Sequence, residues 1–148
     1  MSTTRQFCTF YVNHQCYGID VMHVQEIVRN QPVTRVPLAD RVVRGLMNLR
    51  GQIVTAIDMR RRLDLPERGE EGNPVNVVLQ STDGAVALLV DEIGDVLEVD
   101  EQNFEPPPET LRGSARDLIE GAFKLPGQLL VVINPRQILS KPAHASKI

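Results

Sequence analysis

Gly45-Leu46-Met47-Asn48-Leu49-Arg50-Gly51-Gln52-Ile53-Val54-Thr55-Ala56-Ile57-Asp58-Met59-Arg60 returns later in the chain as Gly121-Ala122-Phe123-Lys124-Leu125-Pro126-Gly127-Gln128-Leu129-Leu130-Val131-Val132-Ile133-Asn134-Pro135-Arg136. Identities fall at both glycine pairs, at Leu49/Leu125, Gln52/Gln128, Ile57/Ile133 and Arg60/Arg136, and the apolar positions match. A stretch met twice predicts one structural unit used twice. Catalysis requires a single asymmetric constellation, so a duplicated scaffold without one points first to binding.

Working outward, the Arg50-Gly51-Gln52-Ile53 step predicts a tight hairpin between strands at 46–49 and 53–57. Gly51 is expected at the first central position of a type II′ turn, where positive φ is required. Gly45 and Gly51 are read as structural: φ freedom and close backbone approach. Asp58 is expected to start a short helix through Leu63. In the second copy, strands at 118–125 and 128–133 form the matching hairpin. Asn134-Pro135 opens a last short helix, with Asn as cap and Pro at the first helical position.

The remaining chain reads as short strands. Residues 7–12 alternate and are rich in aromatic and β-branched residues. Asn13-His14-Gln15 is a turn, and 16–19 the returning strand. Asp20 is placed to cap a helical turn through Val24, with Val21, Val24 and Ile27 sharing a face. Short strands are expected at 33–36, 75–79, 85–90 and 96–99, with Asp83-Gly84 as a hairpin turn. Residues 67–74 are a polar surface loop, and the three prolines at 106–108 begin an irregular excursion. Ser114 falls in a loop. A weaker echo relates Tyr17-Gly18-Ile19-Asp20-Val21 to Val86-Ala87-Leu88-Leu89-Val90. Roughly ten short strands with single-turn helices indicate an all-β protein of small antiparallel barrels. Its pseudo-repeated halves are expected at about 6–66 and 74–140 of a single domain.

Composition agrees. The 148 residues suffice for one domain or two small subdomains sharing a core. Aromatics are 4% and Trp is absent, so the core must be built from Val, Leu and Ile. A net charge of −3 makes no case for nucleic acid. The charges are segregated: residues 29–68 hold nine Arg against four acids, and 69–120 hold thirteen acids against Arg112 and Arg116. Such polarity gives two solvated faces of opposite sign, or docking surfaces that orient partners. No apolar run is long enough to span a bilayer, and the first residues lack the apolar segment of a secretory signal, so a cytoplasmic location without membrane insertion is expected.

Chemistry is sparse. Phosphate loops, dinucleotide fingerprints and nucleophile elbows are absent from the sequence. Cys8, His14, Cys16 and His23 are the one set that suggests a metal-binding protein or enzyme. Their spacing matches no paired-ligand pattern, and buried thiols with surface histidines is the plainer reading. Asp91 and Glu92, adjacent on a strand, would point to opposite sides and are poor acid–base partners. Asp91 is expected to begin the turn after Val90. No cofactor is implied.

Three stretches carry a resemblance. Residues 17–27, from Tyr17-Gly18-Ile19-Asp20 to Val24-Gln25-Glu26-Ile27, the Gly45–Asp58 stretch, and Leu89-Val90-Asp91-Glu92-Ile93-Gly94-Asp95-Val96-Leu97 resemble, in order, the signatures of CheW-type chemotaxis coupling proteins. Residues 121–139 are similar to that family's closing hairpin and helix. The resemblance implies two intertwined five-stranded SH3-like β-barrels and an adaptor without catalysis. It would bridge the cytoplasmic tip of methyl-accepting chemoreceptors to the regulatory domain of a CheA-type histidine kinase, at receptor arrays on the inner face of the membrane. That kinase domain shares the fold, so such barrels can stack end to end. Carried over position by position, the receptor-contact region falls on Val24, Glu26 and Arg50, with Val86 and Leu88 as apolar groove residues. Glu26 and Arg50 are expected to form an ion pair that shapes the groove.

Overall fold

The structure, a computed structural model, describes residues 3–29, 31–67, 73–80, 84–107 and 114–139. Strands β1 (Thr4–Val12), β2 (Gln15–Asp20), β3 (Val24–Arg29), β4 (Val43–Leu49) and β5 (Gln52–Asp58) come first, followed by helix α1 (Met59–Arg62). Strands β6 (Val75–Leu79), β7 (Val86–Val90), β8 (Glu92–Asp100) and the two-residue β9 (Phe104–Glu105) follow. Helix α2 (Ser114–Leu118), β10 (Ile119–Leu125), β11 (Gln128–Ile133) and α3 (Pro135–Leu139) complete the fold.

The strands form two sheets, ordered β8-β1-β2-β11-β10-β9 and β3-β6-β7-β5-β4. The orders correspond strand by strand. In each, an antiparallel hairpin (β10–β11 or β4–β5) joins a third strand in parallel, β11 to β2 and β5 to β7. The registers agree to the residue: Val131 lies opposite Tyr17, and its repeat partner Thr55 lies opposite Val86. The echo between 17–21 and 86–90 is therefore a true spatial equivalence. Each sequence half contributes strands to both sheets, since β1 and β2 join β8–β11 while β6 and β7 join β3–β5.

Each sheet curls on itself. Met47 and Leu49 of the edge strand β4 share one apolar cluster with Val28 of the opposite edge strand β3, around Val54, Ala56, Val78 and Ala87. The first sheet encloses Phe7, Cys16, Phe123, Leu130 and Val132, with Val99 of β8 and Leu125 of β10 closing on them. A third cluster joins the two barrels. It includes Phe10, Tyr17, Ile19, Ile57, Met59, Leu88 and Val90, with Leu118 and Ile138 from α2 and α3. At about 25 cal/mol per Å2 of apolar area, these shared side chains make the barrels one cooperative body.

Several local expectations change. Arg50 and Gly51 are the two residues between Leu49 and Gln52, and both have positive φ (52° and 88°). The turn is thus of the I′ kind, with Gly51 at the second central position, because two left-handed residues match the strands' own twist. After Asp20 only a three-residue 3-10 turn forms (Val21–His23); Val24 and Ile27 lie on β3, where pairing with β6 outweighs helical spacing. The strand expected at 33–36 reduces to a single bridge, Thr34 to Leu46, since Pro32 and Pro37 flank it. That bridge occupies the place that β9 holds beside β10, so the second barrel has five strands and the first gains a sixth. Strand β8 runs nine residues rather than four. Ser114 begins α2 instead of lying in a loop. Most of the loop expected at 67–74, Asp83 of the expected turn, Pro108 and the tail from Ser140 lie outside the described residues.

Gly45 shows why the repeat keeps its glycines. A Cβ there, at φ 150°, would sit 2.3 Å from the Thr34 carbonyl oxygen. At Gly121 a Cβ would meet the Glu105 carbonyl oxygen at the same 2.3 Å. Both glycines follow a register shift in their hairpin, so each barrel passes its edge segment across a bulge only glycine allows.

Candidate functional site

Glu26 and Arg50 meet as expected: the Arg50 guanidinium donates to Glu26 Oε2. The pair spans the second barrel's seam. Glu26 lies on edge strand β3, and Arg50 is at the tip of the hairpin carrying the opposite edge strand β4. Glu26 faces Val78 across the ladder and so shares the barrel's inner face, leaving its carboxylate over the end of the inner cluster. Gln25 Nε2 donates to the same carboxylate oxygen at 3.1 Å. These hydrogen bonds, that of Arg50 foremost, hold the Glu26 carboxyl below its usual range. The Arg50 side chain remains 67% exposed against 23% for Glu26, so the guanidinium keeps donors for another molecule. Asn48 Oδ1 accepts from Gly51 N at 2.8 Å and fixes the turn that aims Arg50.

Val24, Leu79 and Val86 lie in one cross-strand row: Val24 opposite Leu79, Leu79 opposite Val86. Val24 and Val86 are half-buried and pack on the core between the barrels, so their outer atoms line the junction. Leu88 corrects the expectation of a groove residue. It is fully buried opposite Ile57 and Val77, and it supports the junction from beneath without a surface of its own. The structure thus brings Val24, Glu26, Arg50 and Val86 to one barrel's rim, with Gly45 and Gly51 shaping the hairpin that carries Arg50.

Two partners of this site were not read from sequence. Gln25 carries no signal in the sequence; it sits at the register shift between Val24 and Glu26 in β3, and this irregularity lets its side chain reach its neighbour's carboxylate. Asp91 serves as a clamp rather than a plain turn residue. Arg60 Nε and Nη2 donate to its two carboxylate oxygens at 3.1 and 2.6 Å. Asn13 N donates to Asp91 Oδ2 at 2.8 Å, and Arg60 Nη1 to the Pro66 carbonyl at 3.1 Å. The pair ties α1, behind the second barrel's hairpin, to the β1–β2 turn of the first. A fixed Arg60 was foreshadowed by its place in the repeat. Nearby, Asp58 caps α1 by accepting from Arg60 N and Arg61 N, as expected.

The metal set does not assemble. His14 and His23 are exposed at opposite ends of β2, about 20 Å apart for a strand of that length. Cys8 lies opposite Ile19, and Cys16 opposite Tyr11. Among the described residues no group of three or more His, Cys, Asp and Glu is placed to hold a metal. Burial pushes both thiols up, and at Cys16 a hydrogen bond with Tyr11 works against the rise. No helix among the described residues is long and apolar enough to cross a membrane.

Comparisons place this geometry. Residues 6–143 match the CheW-like domain family. The Chemotaxis protein CheW of Bacillus subtilis is 32% identical over 100% of this chain and 95% of its own length. That of Treponema pallidum is 31% identical over 91% of this chain and 82% of its own. The crystal structure of the scaffolding protein TtCheW from Thermoanaerobacter tengcongensis superposes with a TM-score of 0.80 at 26% identity, covering 89% of this chain and 90% of that one. Twin barrels built on one repeated hairpin, the matched family and relatives aligned end to end lead to one conclusion: the chain belongs to the CheW-like family, a family of chemotaxis scaffolds rather than enzymes.

Proposed function

We propose that this chain is a non-catalytic bridge in bacterial chemosensory signalling. It holds the cytoplasmic tip of a methyl-accepting chemoreceptor and the regulatory domain of a CheA-type histidine kinase, and so couples receptor state to kinase activity. The Glu26–Arg50 pair carries the reading. It sits at the rim of a groove flanked by Val24 and Val86, and offers an exposed, oriented guanidinium beside apolar surface. A helical hairpin suits such a groove, with an apolar stripe against the valines and an acceptor for Arg50. The gain is geometric: two partners held on one rigid body meet at high effective concentration, and packing changes in one reach the other. Its working place is the receptor array at the inner face of the membrane, reached through partners.

Co-precipitation with a receptor cytoplasmic fragment and a CheA-type kinase tests this. A ternary complex is expected, and Arg50→Glu should remove receptor while leaving kinase bound. A folded Arg50→Glu protein that recruits kinase to receptor normally would end the assignment of the groove.

A further inference from the structure

The correspondence between the two sheets extends past the strands into the crossings from one barrel to the other, and there it breaks at one point. Tyr17 lies opposite Phe10 and Phe10 opposite Ile93, just as Val86 lies opposite Leu79 and Leu79 opposite Val24. Residues 17–24 therefore match residues 86–93 one for one, and Met22 stands where the other copy has Asp91. The helices behind the hairpins match as well. Arg60 and Arg136 are equivalent in the repeat, and both have their amides on the cap of their helix: Arg60 N donates to Asp58 Oδ1 at 2.9 Å, Arg136 N to Asn134 Oδ1 at 3.0 Å. Where one copy has the Arg60–Asp91 clamp, the other has an arginine and a methionine. Arg136 is exposed, and its side chain has no ion-pair partner among the described residues.

Met22 is also unlike the other methionines. It is 84% exposed, against 2% for Met47 and 0% for Met59. Its backbone is fixed all the same. Met22 N donates to Asp20 Oδ1 at 3.0 Å, Val24 N to the Val21 carbonyl, and Gln80 N to the His23 carbonyl at 3.1 Å. A thioether held out in water on a rigid turn adds nothing to the core. It is open to oxidants that do not reach the two buried ones.

We propose that Met22 is a site of reversible oxidation by hydrogen peroxide, and that its sulfoxide makes with Arg136 the clamp that Asp91 makes with Arg60. The sulfur lone pair attacks one peroxide oxygen; the S–O bond forms as the O–O bond breaks, and the other oxygen leaves as water after a proton shift. Sulfur gives up two electrons and the peroxide takes them. The thioether is a weak acceptor, whereas the sulfoxide oxygen is polar and accepts hydrogen bonds. A guanidinium, with its fork of donors, suits that oxygen as it suits a carboxylate. Oxidation then ties α3 to the crossing between β2 and β3, as Arg60 and Asp91 tie α1 to the turn between β1 and β2. This switch is independent of the receptor groove.

Limited treatment of the full chain with hydrogen peroxide, followed by peptide mass mapping and thermal unfolding, tests the proposal. Met22 should gain one oxygen roughly tenfold faster than Met47 or Met59. The thermal midpoint of the Met22-oxidised protein should rise by on the order of 1–2 °C, the scale of one exposed charge-assisted contact. Methionine sulfoxide reductases should return it to its starting value. Arg136→Ala should abolish the rise without slowing the oxidation. Met22→Asp, which supplies the carboxylate without any oxidant, should raise the midpoint alone but not together with Arg136→Ala. Both substituted side chains are exposed, and unchanged circular dichroism verifies the fold. Oxidation of the buried methionines at the same rate overturns the proposal. So does a midpoint that oxidation leaves unmoved or lowers, or that shifts equally with and without Arg136.

Discussion

Arg60 and Asp91 face each other as a two-pronged ion pair, at 3.1 and 2.6 Å, across the boundary between the barrels. Their side chains are 15% and 17% exposed, so the charges are largely withdrawn from water. The hydrogen bonds it donates to Asp91 hold the Arg60 guanidinium protonated more firmly than a free one. With Asn13 N also on Asp91, three segments distant in sequence meet at one carboxylate. The pair thus ties α1 to the turn between β1 and β2 through a single carboxylate.

Removing one partner strands the other. Asp91→Ala should lower unfolding free energy by about 2–3 kcal/mol, below the figure for a fully buried pair because some water reaches the site. Urea denaturation at neutral pH measures this, with an unchanged slope expected. Arg60→Lys should recover only part, since an ammonium cannot donate along two parallel directions. A loss under about 0.5 kcal/mol for Asp91→Ala would mean the clamp is ornamental.

Gly45 and Gly51 separate two reasons for a glycine. Both have positive φ, but a Cβ at Gly51 meets nothing within 4 Å, whereas one at Gly45 meets backbone at 2.3 Å. Gly51→Ala should therefore cost about 1 kcal/mol, the price of a left-handed alanine. Gly45→Ala must also push the Thr34 segment away and should cost about 2–4 kcal/mol. Thermal unfolding of the two variants side by side decides the order.

Much of this architecture was legible because it is written twice. The repeat set both hairpins, and the pairing of Glu26 with Arg50 followed from resemblance. What escaped was set by long-range partners. Val21, Val24 and Ile27 have the spacing of a helical face beyond Asp20, and only β6, far along the chain, makes Val24–Arg29 a strand. Leu88 was misplaced because alternation cannot say which face of β7 looks outward when both faces are covered: Leu88 enters the core between barrels and Ala87 the barrel interior. Asp91 was set aside as an acid–base candidate, and its true partner is thirty-one residues away. The turn at Arg50-Gly51 was assigned the wrong type because glycine alone does not fix its position in a two-residue loop.

Cys8 and Cys16 should behave as core atoms. Both are buried, and burial raises both thiols above their ordinary value of 9.0. Thiol reagents at pH 8 should label the native protein slowly and the urea-unfolded protein at once. The linkage sign follows. Below pH 9.0 both states keep their protons and nothing changes. As pH rises through that value the unfolded chain ionises first, so stability falls. Cys8→Ala with Cys16→Ala should flatten that alkaline decline. Rapid native labelling would place the thiols at the surface and contradict the packing.

Glu26 offers a direct reading of its pairing with Arg50. Its folded carboxyl lies below the ordinary 4.5, through the hydrogen bond from Arg50 first and that from Gln25 second. A depressed carboxyl stabilises the fold fully above the unfolded value. As pH falls below 4.5 toward the folded midpoint, the carboxylate takes up a proton and that contribution is lost. Carbon-13 titration of the Glu26 carboxyl should give a midpoint below 4.5, returning most of the way in Arg50→Gln and less far in Gln25→Ala. Because Arg50 is mostly exposed, added salt should also raise the midpoint. Receptor binding should fade over the same acidic window in the parent protein, since a protonated Glu26 no longer orients the guanidinium. In Glu26→Gln it should be weak at every pH. A midpoint unmoved by Arg50→Gln would mean the two side chains do not pair in solution, and the groove's charged rim would have to be rebuilt from other residues.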